Sequence, residues 1–326
     1  MHAITLNGFG ELDVLTLTDI PQPIPGPEQL LVHVKACGLN RADLWQRRGN
    51  YPPPPGESDI LGLEIAGQVV AMGENVAGFG IGEKVFGLVA SGAYAEYCLI
   101  DHGMAIPIPE NLSYVEAAGM AEAFLTAQEA VFSMGQLQSH ETILIHAGGS
   151  GVGTAAIQLA TQMQATIFTT VGSAEKAEKI KSLGSMTIIN YKEQNFAEEI
   201  MRLTQQHGVN VIIDFVGASY FTTHLDLLQP SGRLSIVGLM GGTKAEINLS
   251  LVAKKRLQIK GLTMRTRPLA EKRAITATFK QHWLPLFVTG KLKPVIDSVF
   301  PFTDVRAAHE HMENNRNVGK IVLVFP

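Results

Sequence analysis

The first third of the chain carries short runs in which apolar and polar residues alternate. Residues 30–36 (LLVHVKA) alternate most clearly, and residues 65–71 and 84–88 do so less regularly. Turn-forming clusters such as PQPIPGP at 21–27 separate these runs, which is typical of a small barrel-like β domain. The four prolines at 52–55 predict an extended loop, because proline donates no main-chain hydrogen bond and restricts the preceding residue.

From about Tyr114 the pattern changes to alternating helices and strands. A helical pattern covers 115–132, and strands are predicted at 142–146, 166–171, 211–215 and 233–237. Helices are predicted between them at 154–164, 174–183 and 221–228. This alternation predicts an α/β domain with a parallel sheet, right-handed crossovers and helices on both faces. Residues 295–300 and 319–325 return to β character and are expected to rejoin the N-terminal domain.

Composition and charge limit the possible functions. The chain has 326 residues, 46% of them hydrophobic, which is enough for two cores. Its net charge of −4, without a long basic or acidic run, indicates neither nucleic-acid nor anionic-membrane binding. Cys37 and Cys98 are too far apart for a CxxC pair, so a disulfide framework is not expected and a reducing cytosol fits best.

The N-terminal residues show neither a basic region nor an apolar stretch typical of a secretory signal. The longest weakly polar stretch, 142–160, contains four glycines and several polar residues, and it lacks the roughly 20 apolar residues of a membrane span. We therefore expect a soluble, cytoplasmic protein.

The residues at 143–153 (ILIHAGGSGVG) combine a predicted buried strand with a glycine-rich turn that leads into a helix. Such a turn lets the backbone approach a pyrophosphate and points helix N-terminal amides at it. Ser150, Gly151 and Val152 are the candidates for these amides. A glycine motif alone is weak, but strand, turn and helix occur here in the required order. The sequence therefore predicts a dinucleotide-binding site.

The end of the next strand indicates which dinucleotide binds. An NAD enzyme usually places an acid there for the ribose hydroxyls. This chain has Gly172 and Ser173 instead, followed by Lys176. A hydroxyl and a positive charge suit a 2′-phosphate, so NADPH is predicted rather than NADH. A solvated helix lysine is the alternative interpretation of Lys176.

Several motifs together resemble the zinc-free quinone oxidoreductase branch of the medium-chain dehydrogenase/reductase superfamily, to which zeta-crystallin is related. They span the whole length of the chain and are much more specific than the glycine turn. They are GLNRADLW at 38–45, GNYPPPPG at 49–56, ILGLE at 60–64, LIHAGGSGVG at 144–153, NY at 190–191, GLMGG at 238–242 and VGKIV at 318–322.

The resemblance implies a GroES-like β-barrel domain formed by residues 1–120 and 293–326, and a Rossmann-like NADPH-binding domain at 121–292. It implies an active site in the cleft between the domains. It also implies a homodimer, with some tetramers among relatives, joined through an edge strand of the cofactor domain, for which residues 246–251 are the candidate.

The resemblance also allows a test for catalytic zinc. Zinc-dependent members of the superfamily use a cysteine, a histidine next to a glutamate, and a further cysteine. The matching positions here are Asn40, Leu63 and Glu122, which cannot supply three zinc ligands. No cysteine-rich structural zinc loop is present, and His309 and His311 are interpreted as helix-surface residues. We therefore expect no metal, and a substrate such as a quinone that accepts hydride without one.

Two residues are candidates for substrate contact. Asn40 could donate an amide hydrogen bond to the substrate oxygen, or it could only stabilise a turn. Tyr51 could stack on a flat ring or donate its hydroxyl, or it could only anchor the proline loop. No pair of residues indicates a tuned general acid and base, so water is a possible proton source for the quinone.

The resemblance implies further cofactor contacts. Thr126 would border the nicotinamide, Tyr191 would lie at the adenine–ribose end, and the nicotinamide ribose would meet Gly238, Leu239 and Met240. A looser match adds Arg265, Thr266 and Asn317.

The sequence thus predicts an NADPH:quinone oxidoreductase with a small-molecule substrate and no nucleic-acid or membrane partner. Two alternatives stay open. One is NADPH-dependent reduction of activated carbon–carbon double bonds, as in alkenal or enoyl reductases of the same superfamily. The other is an NADPH-sensing or nucleic-acid-binding protein with little catalysis, although the charge argues against nucleic acid.

Overall fold

The computed structural model describes all residues, 1–326. Fifteen strands form three sheets. The strands are β1 (His2–Leu6), β2 (Leu15–Asp19), β3 (Gln29–Gly38), β4 (Glu64–Met72), β5 (Lys84–Leu88), β6 (Tyr97–Asp101), β7 (Ala105–Pro107), β8 (Thr142–Ile145), β9 (Thr166–Val171), β10 (Met186–Asn190), β11 (Val209–Asp214), β12 (Leu228–Ile236), β13 (Gln258–Gly261), β14 (Ile296–Pro301) and β15 (Lys320–Val324).

Eleven α-helices accompany these strands. They are α1 (Arg41–Arg47), α2 (Tyr114–Ala118), α3 (Ala121–Gln128), α4 (Gly151–Gln162), α5 (Ala174–Ile180), α6 (Phe196–Leu203), α7 (Ala218–Leu227), α8 (Leu249–Lys255), α9 (Leu269–His282), α10 (Leu284–Val288) and α11 (Val305–Glu313). Short 3₁₀ helices lie at Leu12–Val14, Lys181–Leu183 and Phe302–Asp304, and a π-helix at Glu129–Met134. None of the helices combines the length and the apolar character that crossing a bilayer requires.

The chain divides into two compact units. Unit 1 comprises Met1–Leu125 and Arg265–Pro326, and unit 2 comprises Thr126–Met264. The boundaries predicted from the sequence, at 120/121 and 292/293, stay a prediction about folding domains. The division by contacts assigns residues 265–292 to unit 1.

Unit 2 contains a six-stranded, fully parallel sheet in the order β10-β9-β8-β11-β12-β13. Numbered from β8, this is the order 3-2-1-4-5-6 of a Rossmann-like sheet, so the predicted α/β class is confirmed. The strand order reverses between β8 and β11, and ligands bind outside the carboxyl ends of strands at such a point. The buried side chains on one face of this sheet include Leu144, Phe168, Ile189 and Ile212.

Unit 1 contains a seven-stranded sheet in the order β14-β15-β3-β4-β5-β7, with β6 paired to β3. Only β14 and β15 are parallel to each other, and the other neighbours are antiparallel. Strand β15 pairs with β3, with Leu323 opposite Cys37. The expected return of the C-terminal segment to the N-terminal domain is therefore confirmed.

Two expectations from the sequence need correction. The helical pattern at 115–132 is not one helix, because Gly119, a weak helix former, ends α2 before α3 begins. Residues 246–251 are not an edge strand. Asn248 caps α8 through its Oδ1, which accepts from the Leu251 main-chain nitrogen at 3.1 Å, and the terminal strands of the parallel sheet are β10 and β13.

Candidate functional site

The glycine-rich turn of unit 2 lies directly between β8 and α4. Ser150 is the N-cap of α4, and its Oγ accepts a hydrogen bond from the Gly153 main-chain nitrogen at 3.0 Å. A Cβ on Gly153 would lie 2.3 Å from the Ala147 main-chain oxygen, so a larger residue would displace the turn. The 12-residue helix therefore begins at Gly151, and the N–H groups of Gly151 and Val152, which have no helical partners, can bind an anion. The Ser150 main-chain nitrogen donates to the Ala147 oxygen at 2.8 Å.

Four predicted cofactor residues lie at the carboxyl ends of β9 and β10. Ser173 caps α5, and its Oγ accepts from the Lys176 main-chain nitrogen at 3.2 Å. A Cβ on Gly172 would lie 2.7 Å from the Oη atom of Tyr191, a residue that is 44% exposed. Gly172 therefore occupies the position just beyond β9, where an acidic residue would favour NAD. It lies beside Tyr191 and is followed by the hydroxyl of Ser173.

Main-chain hydrogen bonds hold the predicted segment 238–240 against the residues that follow β11. The Gly238 nitrogen donates to the Asp214 main-chain oxygen at 3.1 Å, and the Met240 nitrogen donates to the Phe215 oxygen at 3.3 Å. The side chains of Leu239 and Met240 are exposed. The backbone of this segment is thus held while its side chains face outward.

A row of buried, contacting polar side chains next to the glycine turn was not predicted from the sequence. The Nδ1 atom of His146 lies 2.9 Å from Thr170 Oγ1, and its Nε2 atom lies 2.9 Å from the Nε2 atom of His224. The Nδ1 atom of His224 faces Asp214 Oδ2 at 3.6 Å. Burial lowers the pKa of His146 well below its usual value and that of His224 to about 3, so both rings are neutral.

The carboxylate of Asp214 connects this row of buried polar side chains to the segment after β11. Its Oδ1 accepts from the main-chain nitrogens of Val216 and Gly217 at 2.7 and 3.1 Å, and burial raises its pKa to about 6. No local motif could have revealed this arrangement, because His146 and His224 are 78 residues apart.

In unit 1, Asn40 belongs to a buried charged group that we call the Asn40 cluster, formed by Asn40, Glu64 and Lys320. Asn40 Nδ2 donates to Glu64 Oε1 at 3.0 Å, and Lys320 Nζ donates to Asn40 Oδ1 at 2.5 Å. Lys320 Nζ also lies 2.7 Å from Glu64 Oε1, and Glu64 Oε2 accepts from the Glu122 main-chain nitrogen at 2.9 Å. Two of the three positions compared with zinc ligands, Asn40 and Glu122, thus contact Glu64.

Tyr51 is held by Arg265. The guanidinium carbon of Arg265 lies 5.1 Å from the centroid of the Tyr51 ring, and Nη1 donates to the Tyr51 main-chain oxygen at 3.0 Å. Arg265 also donates to the Ala90 main-chain oxygen and to Gln46 Oε1, both at 2.8 Å. Its buried guanidinium therefore donates hydrogen bonds to three residues of unit 1. Its contact with a cofactor stays a prediction.

The remaining predicted residues differ in exposure. Thr126 and Asn317 are buried, whereas Thr266 is exposed. Asn317 Nδ2 donates to the Gly319 main-chain oxygen at 2.9 Å. Their roles at a cofactor stay predictions.

The interpretation of His309 as a surface residue was wrong. Its Nδ1 atom lies 3.3 Å from Arg47 Nη1, and its Nε2 atom lies 3.2 Å from Tyr94 Oη. Tyr94 in turn donates to Asp43 Oδ2 at 3.0 Å. Burial, with a smaller contribution from Arg47, lowers the pKa of His309 to about 3. The buried face of α11 follows helical spacing and contains Val305, Ala308, His309 and Met312.

Metal-ligand geometry is lacking throughout the described chain. No three His, Cys, Asp or Glu side chains lie together as a group able to hold a metal ion. Leu63 is buried in the core, and Cys37 and Cys98 are free, buried thiols. Burial raises the pKa of both, that of Cys98 to about 12.

Two family models match the sequence. The model described as "Alcohol dehydrogenase GroES-like domain" matches residues 26–110, and the model described as "Zinc-binding dehydrogenase" matches residues 151–280. The first match falls on the antiparallel sheet of unit 1, and the second begins at α4, immediately after the glycine turn.

Curated relatives align along the whole chain. The human "Synaptic vesicle membrane protein VAT-1 homolog" is 33% identical over 341 residues, covering 99% of this chain and 86% of the relative. The quinone oxidoreductase of Lama guanicoe is 32% identical over 328 residues, covering 100% of this chain and 98% of the relative.

Solved structures share the complete fold. The Escherichia coli quinone oxidoreductase complexed with NADPH superposes with a TM-score of 0.91 at 28% identity, covering 100% of both chains. The CurK enoyl reductase gives a TM-score of 0.88 at 29% identity, covering 100% of this chain and 99% of that one. With a GroES-like domain and a Rossmann-like domain in this order, the chain belongs to the medium-chain dehydrogenase/reductase superfamily, with quinone oxidoreductases among its relatives.

Proposed function

We propose that this protein reduces quinones with NADPH. The observation that carries the proposal is the turn between β8 and α4, combined with Gly172 and Ser173 in place of an acid after β9. The NADPH-bound quinone oxidoreductase of the same fold, and relatives named quinone oxidoreductase, support it. The more general conclusion, that the protein is an oxidoreductase, holds whether or not its substrate is a quinone.

NADPH fits the residues of unit 2. The amides of Gly151 and Val152 would hold the pyrophosphate, because they begin the helix that Ser150 caps and the Gly153 position leaves no room for a side chain. Ser173 and Lys176 would hold the 2′-phosphate through a hydroxyl and a positive charge. When bound, NADPH supplies the hydride.

Further residues would complete the cofactor site. Tyr191 would lie at the adenine–ribose end. Segment 238–240 and Thr126 would border the nicotinamide, and Arg265, Thr266 and Asn317 would lie near it.

Asn40 and Tyr51 would act on the substrate side. The Asn40 amide would donate to the oxygen on which negative charge develops, and the Tyr51 ring would stack on a flat substrate. A quinone, NADPH and one proton give hydroquinone and NADP⁺, with the proton taken from water. Zinc is not part of the proposal, because leucine at position 63 cannot be a ligand and asparagine at position 40 is a poor one.

The direct test uses purified protein. We expect loss of NADPH absorbance with para-benzoquinone or phenanthrenequinone, and a much slower loss with NADH in place of NADPH. A protein that neither binds NADPH nor oxidises it with any ortho- or para-quinone would refute the proposed function.

Reduction of activated double bonds is the second candidate. It is favoured by the likeness to the CurK enoyl reductase at a TM-score of 0.88. Comparing kcat/KM for an α,β-unsaturated aldehyde with that for a quinone decides between them. Tight NADPH binding without turnover of either substrate would favour an NADPH-sensing protein.

Assembly and location are the last parts of the proposal. We propose a homodimer joined through β13, one of the two terminal strands of the parallel sheet, whose outer edge can pair with a second copy. Sedimentation equilibrium should give twice the mass of one chain, and a monomer would contradict the proposal. The free thiols of Cys37 and Cys98 suit a cytosolic location.

A further inference from the structure

The side-chain amide of Asn40 lies between a cation and an anion. Lys320 Nζ is 2.5 Å from Oδ1, and Glu64 Oε1 is 3.0 Å from Nδ2. An ammonium group only donates hydrogen bonds and a carboxylate only accepts them. The two neighbours therefore allow one orientation of the amide, with Oδ1 toward Lys320 and Nδ2 toward Glu64.

Lys320 and Glu64 are engaged within the protein. The ammonium group donates to the Leu39 main-chain oxygen at 2.6 Å, as well as to Asn40 and Glu64, which accounts for its three hydrogens. Glu64 accepts through both carboxylate oxygens and is fully buried. Neither residue has a group left over that would reach a substrate.

Asn40 differs from these two neighbours. Its second amide hydrogen faces only the Gly38 main-chain oxygen, at a long 3.4 Å, and the residue keeps 9% of its surface exposed. A hydrogen bond of that length is weak and is readily exchanged for a better acceptor. This N–H is therefore the one donor in the Asn40 cluster that can form a hydrogen bond to a substrate oxygen.

We infer that Lys320 and Glu64 are positioning residues, which orient and polarise the Asn40 amide so that one N–H donates to the substrate carbonyl oxygen. The inference rests on the proposed function, because it assigns Asn40 to the substrate oxygen. The ammonium group withdraws electron density through Oδ1, and hydrogen bonds in such a chain strengthen one another. A donor held before the reaction starts stabilises the charge that develops on the oxygen.

The surrounding packing preserves this geometry. A Cβ on Gly38 would lie 2.3 Å from Glu64 Oε1 and 2.6 Å from the Ala118 main-chain oxygen. The glycine at position 38 therefore leaves the space that the Glu64 carboxylate fills.

The test is a double-mutant cycle with the NADPH-bound protein and a quinone. N40A and K320M should each lower kcat/KM about 100-fold, as loss of one oriented donor does, while the Kd for NADPH changes less than about twofold. The double variant should lose no more than either single one, because both remove the same donor. Additive losses, or full activity in N40A, would overturn the inference.

The control for K320M is K255M. Lys255 Nζ donates to the main-chain oxygens of Leu225, Asp226 and Leu228 at 3.0, 2.7 and 2.7 Å, so it is also a lysine with three oxygen acceptors. It contacts no residue of the Asn40 cluster. K255M should keep the wild-type kcat/KM.

The swap N40D/E64Q separates donation to substrate from a purely structural role. It keeps the net charge, because the amide and the carboxylate exchange places. The amide introduced at position 64 can donate to the carboxylate introduced at position 40, and that carboxylate still accepts from Lys320. The N–H at position 40 is lost, and so is the hydrogen bond from Lys320 Nζ to Glu64 Oε1, because the amide nitrogen introduced in place of that oxygen only donates. We expect a lower Tm than in the wild type and, below that temperature, activity as low as in N40A; full activity of the folded variant would overturn the inference.

A wild-type protein that turns over neither quinones nor enones would refute the proposed function alone. The amide orientation would then be read from the ¹H–¹⁵N signals of the Asn40 side chain, assigned by their absence in N40D/E64Q. K320M should shift both signals. Unchanged signals would refute positioning by Lys320.

Discussion

The guanidinium group of Arg265 covers the ring of Tyr51, 5.1 Å from the ring centroid, and donates to the main-chain oxygen of the same residue at 3.0 Å. The two residues are 214 positions apart in the chain. Arg265 thus holds both the backbone and the ring of the tyrosine in the four-proline loop. The prolines of this loop donate no main-chain hydrogen bonds, and the Arg265 side chain supplies a donor to it.

Replacing Arg265 with methionine tests this support. The main-chain oxygens of Ala90 and Tyr51 would lose their donor, and we expect the free energy of unfolding to fall by about 3 kcal/mol. Urea unfolding monitored by circular dichroism measures the change. R202M, at an exposed residue paired with Glu199, should cost little, and an equal loss in both variants would contradict the role of Arg265.

Lys176→Ala should separate the two dinucleotides. Loss of a charge-assisted hydrogen bond to the 2′-phosphate should raise the Kd for NADPH about 30-fold and leave that for NADH nearly unchanged. Tryptophan-fluorescence or calorimetric titration measures both constants. Lys179→Ala, on the same helix in a pair with Glu175, is the control, and equal weakening of NADPH and NADH would refute the phosphate role.

Gly153→Ala should weaken both cofactors alike. The added Cβ would lie 2.3 Å from the Ala147 main-chain oxygen and displace the turn that precedes α4. Because the pyrophosphate is common to NADPH and NADH, we expect the Kd of each to rise by about tenfold or more. Selective loss of NADPH binding would show that this turn does not hold the pyrophosphate.

Asp43 should make stability depend on pH in an unusual direction. Burial raises its pKa to about 6, above the value of about 3.9 expected in the unfolded chain. Between these values the folded state binds more protons, so the stability contributed by Asp43 is greatest at low pH and is lost as the pH rises through 6.

The comparison of wild type with D43N measures this contribution. The asparagine cannot titrate, and its amide oxygen can still accept from the Tyr94 hydroxyl and from the Asn40 main-chain nitrogen. The difference in unfolding free energy, wild type minus D43N, should fall by about 2 kcal/mol between pH 4 and pH 7. D226N, at an exposed position, is the control, and a difference that rises with pH would contradict the prediction.

Local sequence patterns predicted the features that depend on neighbouring residues. The strand at 166–171 was predicted with the bounds that the structure has, because a short run of β-branched and aromatic residues that ends at a glycine needs no distant information. The helix after the glycine turn begins three residues earlier than predicted, at Gly151, because capping by Ser150 outweighs the poor helix propensity of glycine. The His309 side chain was misplaced because its polarity suggested a surface, whereas its helical spacing with Val305 and Met312 indicated burial.

The sequence by itself determined the alternation of strands and helices between about 142 and 237, the turn that suits a pyrophosphate and the absence of an acid after β9. These depend on residue type and on spacings of a few positions, which side-chain and backbone preferences translate directly into local structure. Only the tertiary structure decided that His146 meets His224, that Arg265 supports Tyr51, and that Lys320 reaches Asn40 across 280 residues. Buried polar groups must find partners wherever the packed chain brings them, and periodicity along the chain carries no record of those long-range pairings.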